Sequence, residues 1–125
     1  PTFVGPAFEV VCRQWLMREA VEGRLGLLPK EIGSWWGTDP RTRNQEEIDI
    51  VLEGSDEELA FGECKWKSRP VDVDVLDKLL ERSSLLSGSS RSFFLFSKSG
   101  FTKSCVEAAK GRGDIRLVTP EEMFA

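Results

Sequence analysis

The chain has 125 residues, 40% of them hydrophobic and 30% charged, with a formal net charge of −4, which favours one globular domain with a core of its own. Because it contains neither His nor Tyr, imidazole acid–base catalysis, zinc sites with His ligands and covalent intermediates on tyrosine are excluded. The three cysteines match no zinc or redox spacing, and no apolar run could span a bilayer, so we expect a cytoplasmic chain without a membrane partner. Any catalysis must use carboxylates, lysine and a bound metal ion.

The first element that the sequence predicts is a helix over residues 5–23. Pro6 suits its first turn and Gly23 its end. Helical spacing produces one apolar stripe, which comprises Phe8, Val11, Cys12, Trp15 and Leu16. Glu9 borders this stripe in the first turn, where a carboxylate by itself is explained by the positive end of the helix dipole.

Three strands are predicted next, over residues 31–38, 46–53 and 58–66. The middle strand alternates, so we expect one face to carry Ile48, Ile50 and Leu52 and the other to carry Glu47, Asp49 and Val51. The acidic segment 53–58 indicates a hairpin turn between the second and third strands. We expect its acids at one end of the fold and the basic side chains of residues 65–69 at another.

The second half of the sequence alternates helices and strands. Helices are predicted over 73–86 and 101–113, and strands over 92–98 and 114–120, before a last turn at 120–124 capped by Thr119. The run at 92–98 is apolar throughout and should be buried on both faces. The order α-β-β-β-α-β-α-β predicts an α/β fold, in which a mixed β-sheet, antiparallel in its first three strands, is flanked by helices on right-handed crossovers.

Hairpin arithmetic brings two acids together. If the turn centres near Asp56, the numbers of opposed residues add up to 112, and Asp49 lies opposite Glu63. Opposed side chains project to the same face with Cβ atoms about 4.5–5.5 Å apart. Lys65 follows on that face two residues later. One face of the hairpin therefore gathers two carboxylates and an ammonium group, and the flanks of Glu63 and Lys65, LAFG and CKW, are not those of an exposed strand.

Two carboxylates this close repel each other unless a cation lies between them. Mg²⁺, or Mn²⁺ in its place, suits such oxygen ligands, with the Cys64 backbone carbonyl as a third ligand and Glu9 as a further one, directly or through water. The ion would activate a water molecule, and Lys65 would orient it or neutralise a scissile phosphate. The alternative is that Glu63 and Lys65 lie on a hydrated strand face in weak surface ion pairs.

The motif EIDIV followed by GECKW resembles the PD-(D/E)XK nuclease superfamily, which includes many restriction enzymes and archaeal Holliday junction resolvases. The resemblance assigns Asp49 to the first acid, Glu63 to the second and Lys65 to the lysine, and Glu9 to a helix-one glutamate found in part of the superfamily. The proline of the motif is missing, since Ile48 precedes Asp49. The resemblance implies a restriction-endonuclease-like fold and Mg²⁺-dependent hydrolysis of DNA phosphodiester bonds.

More narrowly, the segments FE, IGSWW, EIDIV, GECKW and FFLFSKSGF resemble, in that order, the uncharacterised domain that ends certain archaeal and bacterial ATPases. This implies that residues 1–125 form a single nuclease-like domain, excised from a longer chain in which an ATPase module comes first. Duplex or branched DNA would be the partner. A homodimer is also open, because related nucleases often pair to cut two strands.

Basic and aromatic residues complete the candidate surface. The candidate phosphate contacts are Lys67, Arg69, Arg41 and Arg43, and ordinary solvated surface is the alternative for each of them. Trp35 and Trp36 offer rings that stack on bases, although in a strand at least one of the two should be core. Three functions stay open: a nuclease, a DNA-binding or regulatory module that does not cleave, and a module that only docks an ATPase.

Overall fold

The computed structural model describes residues 4–125, and its elements follow the predicted order. α1 (Val4–Val21) precedes three strands, β1 (Pro29–Thr38), β2 (Gln45–Gly54) and β3 (Glu58–Lys65). They are followed by α2 (Val73–Ser83), β4 (Ser90–Ser97), α3 (Lys103–Lys110), β5 (Ile115–Val118) and a short last helix, α4 (Pro120–Met123). Thr119 takes the N-cap position of α4 without a side-chain hydrogen bond to it. None of the described helices is both long and apolar enough to pass through a bilayer.

The five strands form one mixed sheet in the order β1-β2-β3-β4-β5. β1, β2 and β3 pair antiparallel, as their hairpin turns require, whereas β3–β4 and β4–β5 pair parallel across α2 and α3. Helices cover both faces and create two apolar clusters. The cluster beneath α1, called the α1 cluster, includes Leu16 and Leu52. The cluster beneath α2, called the α2 cluster, includes Leu79 and Phe61, and all four side chains are buried.

The end of α1 follows from a glycine. Gly23 has a φ of 81°, a left-handed conformation that costs a residue without Cβ little. The Gly23 N–H donates to the Ala20 carbonyl at 3.0 Å, and the Arg24 N–H donates to the Glu19 carbonyl at 2.9 Å. This pair of bonds satisfies the last carbonyls of the helix and turns the chain back towards β1.

The even alternation predicted along β2 is wrong, because an extra residue interrupts the strand. Gly33 of β1 lies opposite Val51, but Trp35 lies opposite Ile48, so two steps along β1 match three along β2. Ile48 consequently packs in the α2 cluster together with Val51, whereas Ile50 belongs to the α1 cluster. The bulge reverses the faces of β2 at its middle.

The acidic turn and Lys65 lie at opposite ends of the sheet. The turn between β2 and β3 carries the acidic segment 53–58, and β3 runs from it for eight residues, about 23 Å, to Lys65. Because of the strand directions, the β1–β2 turn and the carboxyl ends of β4 and β5 lie beside Lys65 as well. We call this edge of the sheet the Lys65 end.

The N-termini of α2 and α3 are tied together at the Lys65 end. Asp72 caps α2: its carboxylate accepts from the Val73 N–H at 2.8 Å and from the Thr102 hydroxyl at 2.7 Å. Thr102 in turn caps α3 and accepts from the Cys105 N–H at 3.2 Å. These bonds fix the segment that links β3 to α2, which forms one wall of the candidate site.

Candidate active site

The β2–β3 ladder has the predicted register. Ile50 pairs with Gly62 and Glu53 with Leu59, and the residue numbers add up to 112 along the whole ladder. Gly62 suits its place, because a Cβ there would approach the Ile50 Cβ to 3.2 Å. Backbone pairing stops at Ile50 and Gly62, so the next two opposed residues, Asp49 and Glu63, stand where the strands part.

Asp49 and Glu63, the carboxylate pair, bond across this opening. The Cys64 N–H donates to Asp49 Oδ2 at 2.9 Å, and the Asp49 N–H donates to Glu63 Oε1 at 3.2 Å. Each carboxylate thus accepts from the opposite strand in place of a backbone carbonyl. The N–H and C=O of one residue in an antiparallel strand point to the same neighbour, so the Cys64 carbonyl is also directed towards β2. The two acids are held close together at the end of the hairpin.

The charge of the carboxylate pair is poorly solvated. Glu63 is only 5% exposed, and burial together with the Asp49 charge raises its pKa to about 7, although Lys65 acts in the opposite direction. Glu9 reaches the same place from α1. Burial, hydrogen bonding to Asp49 and the charges of Asp49 and Glu47 raise the pKa of Glu9 to about 7. Three acids therefore share a region with too little positive charge.

Lys65 lies between the carboxylate pair and solvent. Its Nζ is 4.0 Å from Glu63 Oε2, and its side chain is 32% exposed. On its outer side it lines a cavity of about 510 Å³ together with Lys67, Arg69 and Asp72. The ammonium group can therefore contact Glu63 and a ligand in the cavity at once.

The donor atoms fit a hard divalent cation. Asp49 Oδ2 and Glu63 Oε1 each accept from a backbone N–H, and the second oxygen of each acid has no backbone donor within the described part of the chain. Among residues 4–125, no group of three or more His, Cys, Asp or Glu side chains is arranged to hold an ion alone. An ion here would take the carboxylate pair, the Cys64 carbonyl and water, and Mg²⁺ commonly binds in this way, through one or two carboxylates and several waters.

Sequence comparison assigns the family. Residues 1–79 match the model of DUF234, described as archaeal and bacterial proteins of unknown function. The chain belongs to this family. No curated protein matches the sequence significantly.

Two solved structures resemble the DUF234 fold described above. The MspJI restriction endonuclease, in complex with a 27-mer oligonucleotide, matches with a TM-score of 0.59 and 14% identity, over 94% of this chain and 26% of that one. AF1548, a protein of unknown function, matches with a TM-score of 0.50 and 20% identity, over 87% of this chain and 58% of that one. The match therefore spans 58% of the length of AF1548 and about a quarter of that of MspJI. The likeness confirms the restriction-endonuclease-like fold.

The predicted phosphate contacts of this DUF234 chain divide into two groups. Lys67 and Arg69 line the cavity beside Lys65. Arg41 and Arg43 lie in the β1–β2 turn, which reaches the same Lys65 end. Arg41 is engaged by Asp39, with Nη2 3.3 Å from Oδ2.

Sequence reasoning missed two cations of this region. Lys98 directly follows β4; its N–H donates to the Lys65 carbonyl at 3.0 Å, and its Nζ lies 5.1 Å from the centre of the Trp66 ring. The signal was available, since the residue after a parallel strand lies beside the end of its neighbour. Arg13 lies one turn after Glu9 on α1, and its positive charge partly offsets the rise in the pKa of Glu9. The i, i+4 spacing predicts this pair.

Proposed function

We propose that this chain is a nuclease domain that hydrolyses DNA phosphodiester bonds with Mg²⁺ or Mn²⁺ held at the carboxylate pair. The observation that carries the proposal is the crossed hydrogen bonding of Asp49 and Glu63 at the parted end of the hairpin, with Lys65 beside them. A protein gains nothing in stability from placing a buried acid against a second acid. Such an arrangement is typical of a site that binds a cation.

Each residue has a role in this reaction. Asp49, Glu63 and the Cys64 carbonyl would hold the ion, and Glu9 would accept a hydrogen bond from a water on it. The bound ion supplies a more acidic water and polarises a phosphoryl oxygen. Lys65, 4.0 Å from Glu63, would orient the attacking water or neutralise charge on the phosphate.

The surroundings of the pair support DNA as the substrate. Lys65, Lys67 and Arg69 line one cavity, and phosphate contacts of this kind position a nucleic acid without reading its sequence. The MspJI structure, whose fold this chain shares, holds an oligonucleotide. An ATPase module ahead of this chain and a homodimer stay predictions of the resemblance, and a cytoplasmic location stays a prediction from the cysteine pattern.

A DNA-binding or regulatory module that does not cleave is the second candidate. The observation in its favour is that each acid of the pair already has one oxygen on a backbone N–H. The net charge of −4 weakens affinity for DNA and also keeps open a module that only docks an ATPase.

The deciding experiment is a cleavage assay on single-stranded, duplex and branched DNA with Mn²⁺ or Mg²⁺. We expect cleavage of at least one substrate with either metal and none in EDTA, because the carboxylate pair cannot activate water without a cation. Binding of DNA without cleavage under every condition would favour the second candidate. Binding of neither DNA nor metal would leave only a docking module.

Removing the charges of Lys67 and Arg69 should weaken DNA binding without altering selectivity for a base sequence. Each substitution to Ala should raise the Kd roughly 3- to 10-fold near 0.1 M salt and reduce the slope of log K against log salt by about 1. The matched control is Lys30→Ala at the acidic end, where Lys30 pairs with Glu53 at 3.5 Å. An equal loss in the control would show that net charge alone determines the binding.

A further inference from the structure

Trp36 is exposed to solvent where its neighbour is not. It is 69% exposed, whereas Trp35 packs in the α2 cluster. Trp36 lies near the end of β1, directly opposite Glu47 of β2. Opposed side chains of antiparallel strands share a face, so the indole and the Glu47 carboxylate are neighbours. A single exposed apolar side chain does not by itself indicate a binding site, so the residues around Trp36 have to be considered.

The surroundings form a cavity with free hydrogen-bonding groups. It has a volume of about 450 Å³ and is lined by Trp36, Gln45, Glu46 and Glu47. Glu46 is buried and engaged, since it accepts from Arg82 Nε at 2.8 Å. Within residues 4–125, Glu47 forms neither an ion pair nor a side-chain hydrogen bond. The cavity therefore offers an aromatic face and an unengaged carboxylate side by side.

This cavity adjoins the carboxylate pair. Glu47 and Asp49 are two residues apart on β2, and the charges of both raise the pKa of Glu9 on α1. The β1–β2 turn that follows Trp36 lies at the Lys65 end. A strand whose backbone lies at Asp49 can therefore place an adjacent nucleotide at Trp36.

We propose that Trp36 and Glu47 bind one unpaired base of the DNA strand whose backbone lies at the carboxylate pair. The inference rests on the proposed function and adds the substrate class, which is DNA with an unpaired nucleotide: a single strand, a loop or a branch. The indole stacks on the base, and Glu47 accepts hydrogen bonds from N–H groups on its Watson–Crick edge. Guanine has two such donors, N1–H and the 2-amino group, so it should bind best. A phosphate is a poor occupant, because Glu47 repels it.

The test is a binding measurement by fluorescence anisotropy. It uses the Glu63→Gln protein, because this variant should not cleave the DNA. The probes are a labelled oligo(dT) of twelve nucleotides, the same strand with one central dG, and a duplex of equal length. Adding Trp36→Ala should raise the Kd for both single strands by about 5- to 150-fold and change that for the duplex less than about twofold. Adding Glu47→Gln should remove the preference for the strand with dG.

The control is Leu28→Ala, which removes a side chain that is 72% exposed and stands at the acidic end, just before β1. It should leave all three Kd values unchanged, and circular dichroism should show every variant folded. Single-strand binding by Trp36→Ala at the level of its parent, or an equal loss on duplex, would overturn the inference. Metal-dependent cleavage that needs Glu63 would still stand in that case, because it is measured separately with the wild-type chain.

Discussion

Glu63→Gln should lower the rate of metal-dependent DNA cleavage by at least about 100-fold. Glutamine has the same shape and keeps an oxygen for the Asp49 N–H, which donates to Glu63 Oε1 at 3.2 Å. It lacks the negative charge that a divalent cation requires. Single-turnover cleavage with Mn²⁺, over a range of enzyme concentrations, measures the loss in the chemical step rather than in DNA binding.

A second acid provides the control for this substitution. Glu53→Gln removes a charge from β2 at the acidic end and should leave the cleavage rate within about twofold of wild type. Cleavage that persists in Glu63→Gln would show that the hydrolysis does not use the carboxylate pair.

The lysines of the cavity allow a finer comparison within the same experiment. Lys65→Met should reduce the maximal rate, since Lys65 Nζ is 4.0 Å from Glu63 Oε2. Lys67→Met should raise the DNA concentration needed for half-maximal rate and leave the maximal rate nearly unchanged. Equal behaviour of the two variants would remove the special role of Lys65.

The second large effect concerns stability without metal. Glu63→Gln should raise the free energy of unfolding at pH 8 by about 2 kcal/mol and Tm by about 5–10 °C. The pKa of Glu63 is raised from 4.5 to about 7 in the folded protein by burial and the Asp49 charge. Wild type therefore loses stability as the pH rises from about 4.5 to about 7, and the difference between the proteins should vanish near pH 4.

Mg²⁺ should make wild type more stable than Glu63→Gln at pH 8. By binding the folded wild type it should raise the Tm of that protein with increasing concentration, whereas Glu63→Gln should hardly respond. Thermal unfolding followed by circular dichroism at pH 4 and pH 8, with EDTA or with Mg²⁺, gives all the values. A wild type that is more stable than Glu63→Gln at pH 8 in EDTA would contradict the argument from burial. Ca²⁺ can serve as the cation if Mg²⁺ binding is weak, since it also takes carboxylate oxygens.

The parts of the fold that follow from local pattern could be predicted. The hairpin register could be read from the sequence because one short acidic turn joins two apolar strands, and the sum of 112 brings Asp49 opposite Glu63. The order of elements followed from the change between helical and strand spacing. The buried β4 followed from its continuous apolar run, and Phe93 to Ser97 are indeed buried.

The parts of the fold that depend on contacts between residues distant in sequence could not be predicted. The bulge in β2 is visible only in its pairing with β1, so the faces of Ile48 and Ile50 could not be told apart beforehand. The same pairing decides that Trp35 is packed and Trp36 exposed. The cavity beside Lys65 is lined by Asp72 and Thr102, which lie 30 residues apart and are joined by a hydrogen bond. The raised pKa of Glu9 required the placement of α1 against β2.

The turn between β2 and β3 carries the acidic segment 53–58, whereas Lys65, Lys67 and Arg69 lie at the other end of β3 beside the carboxylate pair. The acids of the turn would repel a polyanion, whereas the Lys65 end would offer it cations as well as acids. Under the proposed function, approach of DNA to the turn would be unfavourable before any short-range contact forms, and this would limit adsorption of DNA at the end of the sheet that is remote from the carboxylate pair.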